Sequence, residues 1–162
     1  MDIHFGSIGR DQLEACAALI RESFLTVAEE FGLTQENCPT NGAFLKADRL
    51  ATDMDKGNAL FGLYEGTALV GFMELEQGRD DAVILEKLAV LPACRHRGYG
   101  KNLLDYAKGT AHGMGARKLL AAIIEENTVL KQWYLDNGFI HTGMRKFDHL
   151  PFTVGFLECE IF

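Results

Sequence analysis

The apolar positions change period along the chain, and each change marks an element. Asp2 to Ile8 reads as a short strand. From Asp11, apolar side chains recur at Leu13, Cys16, Ala17, Ile20, Phe24, Val27, Ala28 and Phe31, the spacing of a helix with one buried face, and Gly32 is placed to end it. Thr34 to Thr40 reads as a loop, followed by a second helix through Phe44, Ala47, Ala51 and Met54 that closes near Gly57. Two strands come next, Ala59 to Tyr64 and Ala68 to Glu76, joined as a hairpin through Glu65-Gly66-Thr67. Ala82 to Leu91 is an almost unbroken apolar run stopped by Pro92, as expected of a strand covered on both faces. Gly100 opens a helical pattern through Leu103, Leu104, Ala107, Ala111 and Met114, and Gly113 and Gly115 end it. Leu119 to Ile124 is another buried strand. Asn127 or Thr128 then caps a helix carrying Val129, Leu130, Trp133 and Tyr134 up to Gly138, and strands at Phe139 to Phe147 and Phe152 to Ile161 finish the chain. The order β α α β β β α β α β β predicts an α/β architecture, a mixed sheet of about seven strands flanked by about four helices.

Composition narrows the class. With 162 residues, 48% apolar and 24% charged, the chain can bury a sizeable core, which argues for one domain over residues 1–162 and against disorder. There is no internal repeat and no apolar run approaching the ~18 residues of a membrane span. The opening Met-Asp-Ile-His-Phe lacks the zones of a signal peptide, so the expected location is cytoplasmic, with no membrane partner. Cys16, Cys38, Cys94 and Cys159 are widely spaced, without a C-x-x-C pair or a histidine at ligand spacing, so reduced thiols are expected and no metal site.

Charge is distributed unevenly. The net of −7 divides into 16 acids and 7 bases over residues 1–94, against 7 acids and 9 bases over residues 95–162. Most of the second excess lies between Arg95 and Lys118, where six bases face only Asp105. A basic island in an acidic chain is either a solvated charge run or an anion site. Nucleic acid is a poor candidate for that anion, because the chain is acidic overall and only Tyr99 interleaves with the bases.

The backbone expected around the island favours an anion site. Val90 to Leu103 is a glycine-bearing turn between a buried strand and a helix, where unpaired N–H groups and the positive end of the helix dipole meet. It is not a Walker A loop, since Arg95 and Asn102 stand where a Gly and a Ser or Thr are needed. Nor is it a dinucleotide fingerprint, since Leu103 replaces the third glycine. What it matches is R-x-x-G-x-G, read as Arg95-His-Arg-Gly98-Tyr-Gly100 after Leu88-Ala-Val-Leu-Pro92. Together with Asn127 and the downstream Trp133-Tyr-Leu-Asp-Asn-Gly-Phe139, this stretch resembles the acyl-CoA site of the GNAT superfamily of N-acetyltransferases.

The resemblance implies a mostly antiparallel sheet whose fourth and fifth strands splay (the acyl-CoA N-acyltransferase fold), with acetyl-CoA as cosubstrate. It places the pantetheine arm along the backbone of Leu88, Ala89 and Val90, and the pyrophosphate on the N–H groups of Arg95, His96, Arg97, Gly98, Tyr99, Gly100 and Lys101. His96 and Tyr99 contribute backbone only, with side chains free to face solvent. Asn127 would bind the CoA arm, or simply cap its helix. Glu86 falls where many members carry a catalytic base, on one strand face with Ile84, Leu88 and Val90; otherwise it is a rim carboxylate paired with a cation. Tyr134 falls at the general acid, with Trp133 serving the core while Tyr134 faces the cleft; otherwise it is a packed aromatic.

The acceptor would be a small amine or a peptide, bound by a monomer or homodimer between the region Phe24 to Lys56 and the loop His149-Leu-Pro-Phe152. Glu29, Glu30, Glu36, Asp48, Asp53 and Asp55 in that region favour a cationic amine: a polyamine, an amino sugar or a peptide N-terminus. The competing class is a non-catalytic acyl-CoA-binding module.

Overall fold

A computed structural model describes residues 2–162. In chain order the elements are β1 Ile3–Ser7, α1 Leu13–Glu30, α2 Ala47–Asp55, β2 Ala59–Glu65, β3 Ala68–Gln77, β4 Ala82–Val90, α3 Tyr99–Gly113, β5 Lys118–Ile124, α4 Thr128–Asp136, β6 Ile140–Lys146 and β7 Thr153–Glu160. The seven strands form one sheet in the order β1-β2-β3-β4-β5-β7-β6, antiparallel except where β4 meets β5. No helix among the described residues is long and apolar enough to cross a membrane.

The apolar stripes read from the sequence determine which helix covers which face. Leu13, Cys16, Ala17 and Ile20 of α1 pack with Leu50 of α2 on Leu60, Phe72 and Ala89. Leu103, Leu104, Ala107 and Ala111 of α3 pack on the opposite face against Met73, Leu75, Val83 and Leu85. Gly32, at φ +65°, closes α1 with Leu33 N–H donating to Ala28 C=O over 2.8 Å. A third, smaller cluster joins Ala28, Leu33 and Cys38 to Ile124, with Leu150 and Phe152 against it, so the α1–α2 connection reaches over the sheet to the end of β5.

Two departures from the expected elements matter for the site. Phe44 does not begin α2. The Asn41 side chain accepts from Ala43 N–H, winding Gly42–Phe44 into a short 3-10 turn, and Leu45 and Lys46 are extended before α2 starts. The loop is pinned to α1 by Arg21, which donates to Leu45 C=O over 2.8 Å, and by Gly42, where a Cβ would lie 2.6 Å from the Phe24 ring.

The second departure is a bulge in β4. Its partners on β3 run Gly71 with Val90 and Phe72 with Ala89, then skip to Glu74 with Glu86, so β4 carries one residue more than β3 across this span. Lys87 sits in it at φ +54°, a left-handed conformation that costs a side-chain-bearing residue ~1–2 kcal/mol. The parallel pairing with β5 ends before the bulge, covering only Ala82 to Ile84 against Lys118 to Leu120. The fourth and fifth strands are splayed.

Candidate active site

The splay opens a cavity of about 450 Å³. One wall is Ile84 to Leu88 of β4 and the opposite one Ala122 to Ile124 of β5. Asn127, Leu130 and Tyr134 of α4 line it further, and Phe24, Val27, Leu45 and Arg49 close it from the α1–α2 side. Leu91 N–H donates to Val70 C=O of β3 over 3.0 Å, so strand alternation turns the N–H and C=O groups of Val90 and Leu88 away from β3, into the gap.

At the turn before α3, among the described residues, none of the N–H groups from His96 to Lys101 donates a hydrogen bond to the protein. His96 at φ +65° and Gly98 at φ +83° alternate with right-handed or extended neighbours, a backbone nest whose donors converge outward. A Cβ on Gly98 would meet nothing within 4 Å, so glycine is favoured there by its left-handed backbone and not by lack of space. Gly100 is needed for a different reason: its Cβ would lie 3.3 Å from Trp133 of α4, which packs across the start of α3.

The basic side chains of this turn are engaged elsewhere. Arg95 donates to Ser23 C=O over 2.8 Å and to Thr26 Oγ1 over 3.1 Å, anchoring the turn to α1. Arg97 pairs with Glu65 at 3.3 Å and Lys101 with Asp105 at 2.8 Å. The nest therefore offers backbone donors inside a field of tethered positive charge. Tyr99, expected to turn to solvent, is instead buried and donates its hydroxyl to Glu65; His96 is exposed as expected.

Glu86 lines the cavity, but not on the face that simple alternation gives. The bulge reverses the pattern: Glu86 shares a face with Ile84 and Ala89, while Leu88 and Val90 join Val83 and Leu85 on the α3 side. Behind Glu86 lies a buried ionic group that sequence reasoning missed. The Lys87 ammonium donates to Asp53 Oδ2 at 2.9 Å, Glu74 Oε2 at 3.3 Å and Glu86 Oε2 at 3.4 Å. The three carboxylates lie within 4.8 Å of one another, a spacing suited to a bound cation, and Lys87 supplies one.

Burial pushes the Glu74 carboxyl up to about 7, against the pull of Asn58 and Lys87. Burial acts on Asp53 in the same sense, but its hydrogen bond from Lys87 holds it below the usual carboxylate range. Glu76 sits above the usual range because the Glu86 carboxyl adjoins it and because of partial burial. The signal in the sequence was the alternation of Glu74 and Glu76 along an otherwise apolar strand.

Tyr134 lines the cavity, and Trp133 packs against the core cluster on the α3 side. Tyr134 is only 6% exposed, packed edge-on between Trp133 and Phe139, whereas Trp133 is half-buried. The Tyr134 hydroxyl has no partner among the described residues and is not sealed from the cavity; burial raises its pKa, so it stays protonated at neutral pH. Asn127 caps α4 by accepting from Leu130 N–H over 3.2 Å, and its Nδ2 donates to nothing among the described residues. Both readings of Asn127 therefore remain compatible. All four cysteines are free.

No curated protein matches the chain in sequence. Several solved structures match its fold along nearly its whole length. The ribosomal-protein-S18-alanine N-acetyltransferase of Escherichia coli superposes with a TM-score of 0.78 at 16% identity, covering 99% of this chain and 94% of that one. The PaiA N-acetyltransferase of Thermoplasma acidophilum, solved with coenzyme A, gives 0.75 at 20% identity and 99% coverage of both chains. YncA of Salmonella typhimurium, a putative acetyltransferase solved with acetyl-CoA, gives 0.72 at 16%, covering 99% and 94%. At these identities the likeness is one of fold. A model of the acetyltransferase (GNAT) family matches residues 21–139, from α1 to the end of α4, and the chain belongs to that family, whose members move an acyl group from CoA to an acceptor.

Proposed function

We propose that this protein is an N-acetyltransferase that passes the acetyl group of acetyl-CoA to a primary amine of a small molecule or peptide, by direct attack while both are bound. The observation that carries the reading is that one cavity is lined by the carboxylate of Glu86, the Tyr134 side chain, the Asn127 side chain and the freed backbone of β4. Neighbours of the same fold solved with CoA and with acetyl-CoA support the choice of donor. The residues present fit that donor. The six unpaired N–H groups of His96 to Lys101 match a pyrophosphate, the gap edge of Leu88 to Val90 matches an extended amide-bearing arm, and the free Nδ2 of Asn127 adds a donor beside it.

The bound donor supplies an activated thioester; the chain supplies proton handling and position. A primary amine with a pKa of ~10.4 is neutral about once in 10³ molecules at pH 7, so a base is required. Glu86 takes that proton at the cleft wall, held in place by Lys87 at 3.4 Å, and the adjoining Glu76 offers a route to solvent. Tyr134, protonated at neutral pH, gives its hydroxyl proton to the departing thiolate. N–H groups of the splayed β4 polarise the thioester oxygen.

The test is acetyl-CoA-dependent thiol release across a panel of amines, with Tyr134→Phe compared to wild type. The expected result is a loss in kcat of ten-fold or more with little change in acetyl-CoA affinity. An unchanged kcat, with chemistry rate-limiting, removes Tyr134 as the acid. Tight acetyl-CoA binding with no turnover on any amine replaces the reading with a non-catalytic acyl-CoA-binding module.

A further inference from the structure

The acidic residues expected to attract a cationic acceptor do not face the cavity. Glu29, Glu30, Glu36 and Asp48 are exposed outside it, Asp55 is bonded to Arg10, and Asp53 is buried against Lys87. Among the described residues, Glu86 is the single carboxylate in the lining. The acceptor end is otherwise largely apolar, formed by Phe24, Val27, Leu45, Ile124, Leu150 and Phe152, with the uncharged Thr40 and Asn41 among them.

Two cations reach the cavity, and they differ in what they have left to give. Lys87 is surrounded by three carboxylates. The side chain of Arg49, on the first turn of α2, makes no hydrogen bond among the described residues; its ion-pair partner is Asp53 Oδ1, 3.6 Å from its Nε, on a carboxylate that already accepts from Lys87 at 2.9 Å. The side chain is 52% exposed and its terminal nitrogens are uncommitted, whereas Arg21 and Arg95 both spend theirs on backbone carbonyls. A guanidinium with a free two-nitrogen edge at the rim of an apolar cleft is suited to binding a carboxylate through paired hydrogen bonds. The contacts Glu86–Lys87, Lys87–Asp53 and Asp53–Arg49 place this edge and the proposed base at opposite ends of one short relay, within one cleft.

From this arrangement, and resting on the transfer reading above, we infer that the acceptor is an amino-acid-like molecule. Its amine faces Glu86, its apolar side chain lies on the Phe24–Phe152 wall, and its carboxylate is bound by Arg49. A polyamine or an amino sugar finds no second anion in this cleft and would face Arg49 with like charge.

The experiment measures kcat and KM with acetyl-CoA for phenylalanine and leucine, their primary amides, the corresponding decarboxylated amines, and spermidine, in wild type, Arg49→Ala and Arg49→Lys. Amidation lowers the pKa of the amine, so a preference for the free acid cannot arise from easier deprotonation. The expected wild-type kcat/KM favours the acids over both the amides and the amines by about ten-fold or more, carried by KM. In Arg49→Ala the acid-to-amide ratio falls toward one through KM, and Arg49→Lys keeps part of it. Melting temperature and acetyl-CoA affinity, measured alongside, identify any variant that has lost its fold. Acids no better than amides, a preference for spermidine, or a ratio unaltered in a folded Arg49→Ala each overturn the inference while leaving amine acetylation standing. Acetyl-CoA binding without turnover on any amine overturns the transfer reading and the inference together.

Discussion

Replacing Glu74 by glutamine isolates the cost of keeping a carboxyl group inside the ionic cluster. Glu74 is fully buried in the middle of β3; its Oε2 accepts from Asn58 at 2.8 Å and from Lys87 at 3.3 Å, and its Oε1 has no partner among the described residues. Burial raises its pKa from 4.5 to about 7, so the folded state holds the proton more tightly than the unfolded chain does. A group of this kind stabilises the fold fully below the unfolded pKa, and that contribution is lost as pH climbs through the folded value. Two to three pKa units at ~1.4 kcal/mol each put the change at about 3 kcal/mol. Glutamine keeps the shape and an acceptor oxygen but does not titrate. Asp53, held below its usual range, stays ionised above pH 5 in both proteins and drops out of the comparison. Urea unfolding followed by the fluorescence of Trp133, the sole tryptophan, at intervals from pH 5 to pH 8 therefore gives a difference in stability, Glu74→Gln minus wild type, that rises toward about 3 kcal/mol near pH 7 and then levels. A difference that stays flat to within about 1 kcal/mol across the range refutes the reasoning, because Glu74 would then titrate alike in the folded and unfolded chains.

Two further outcomes probe the same scaffold. Lys87→Met leaves Asp53 and Glu74 around a missing cation and is expected to cost about 3–5 kcal/mol by urea unfolding; adding Asp53→Asn should return part of that loss, and a destabilisation below 1 kcal/mol would show that Lys87 does not balance the cluster. Gly98→Ala forces a Cβ into φ +83° at the nest, an expected penalty of ~1–2 kcal/mol that should weaken CoA binding by about 5- to 30-fold in calorimetry; an unchanged Kd would mean that the turn does not hold the ligand in this conformation.

The order of elements was readable because each long apolar pattern meets a single period. The stripe of α1 and the buried run of β4 cannot be confused, and glycines at 32 and 115 stand where the helices they follow end in left-handed turns. The phosphate turn was readable as backbone, since glycine spacing reports conformation directly. The destinations of its side chains were not: whether Arg95 points at a ligand or at Ser23 depends on α1, seventy residues earlier, and no local rule contains that contact. The same holds for the depth of Tyr134, because a 100° step between helical neighbours separates two faces without saying how far either is buried. The acidic region between α1 and β2 misled for a third reason. Charge counted along a sequence is not charge facing a cavity, and Asp53 and Asp55 are cancelled by Lys87 and Arg10.

The bulge in β4 links these misses. Alternation predicts faces only while register holds, and one inserted residue moved Leu88 and Val90 to the α3 face while leaving Glu86 against α2. That insertion needs a residue in left-handed backbone, and the chain uses a lysine there rather than a glycine. A glycine would adopt the conformation at no steric cost, so local backbone preference does not explain the choice. The ammonium does: from this position it reaches α2, β3 and the neighbouring Glu86 at once, replacing water around three carboxylates that burial would otherwise force to share protons. The strained residue beside the cofactor gap also binds the wall on which the proposed base and Arg49 stand. Lys87 thus ties β4, along the edge of the proposed acyl-CoA gap, to α2 and β3, so that one residue sets both the bulge and the position of the acceptor wall.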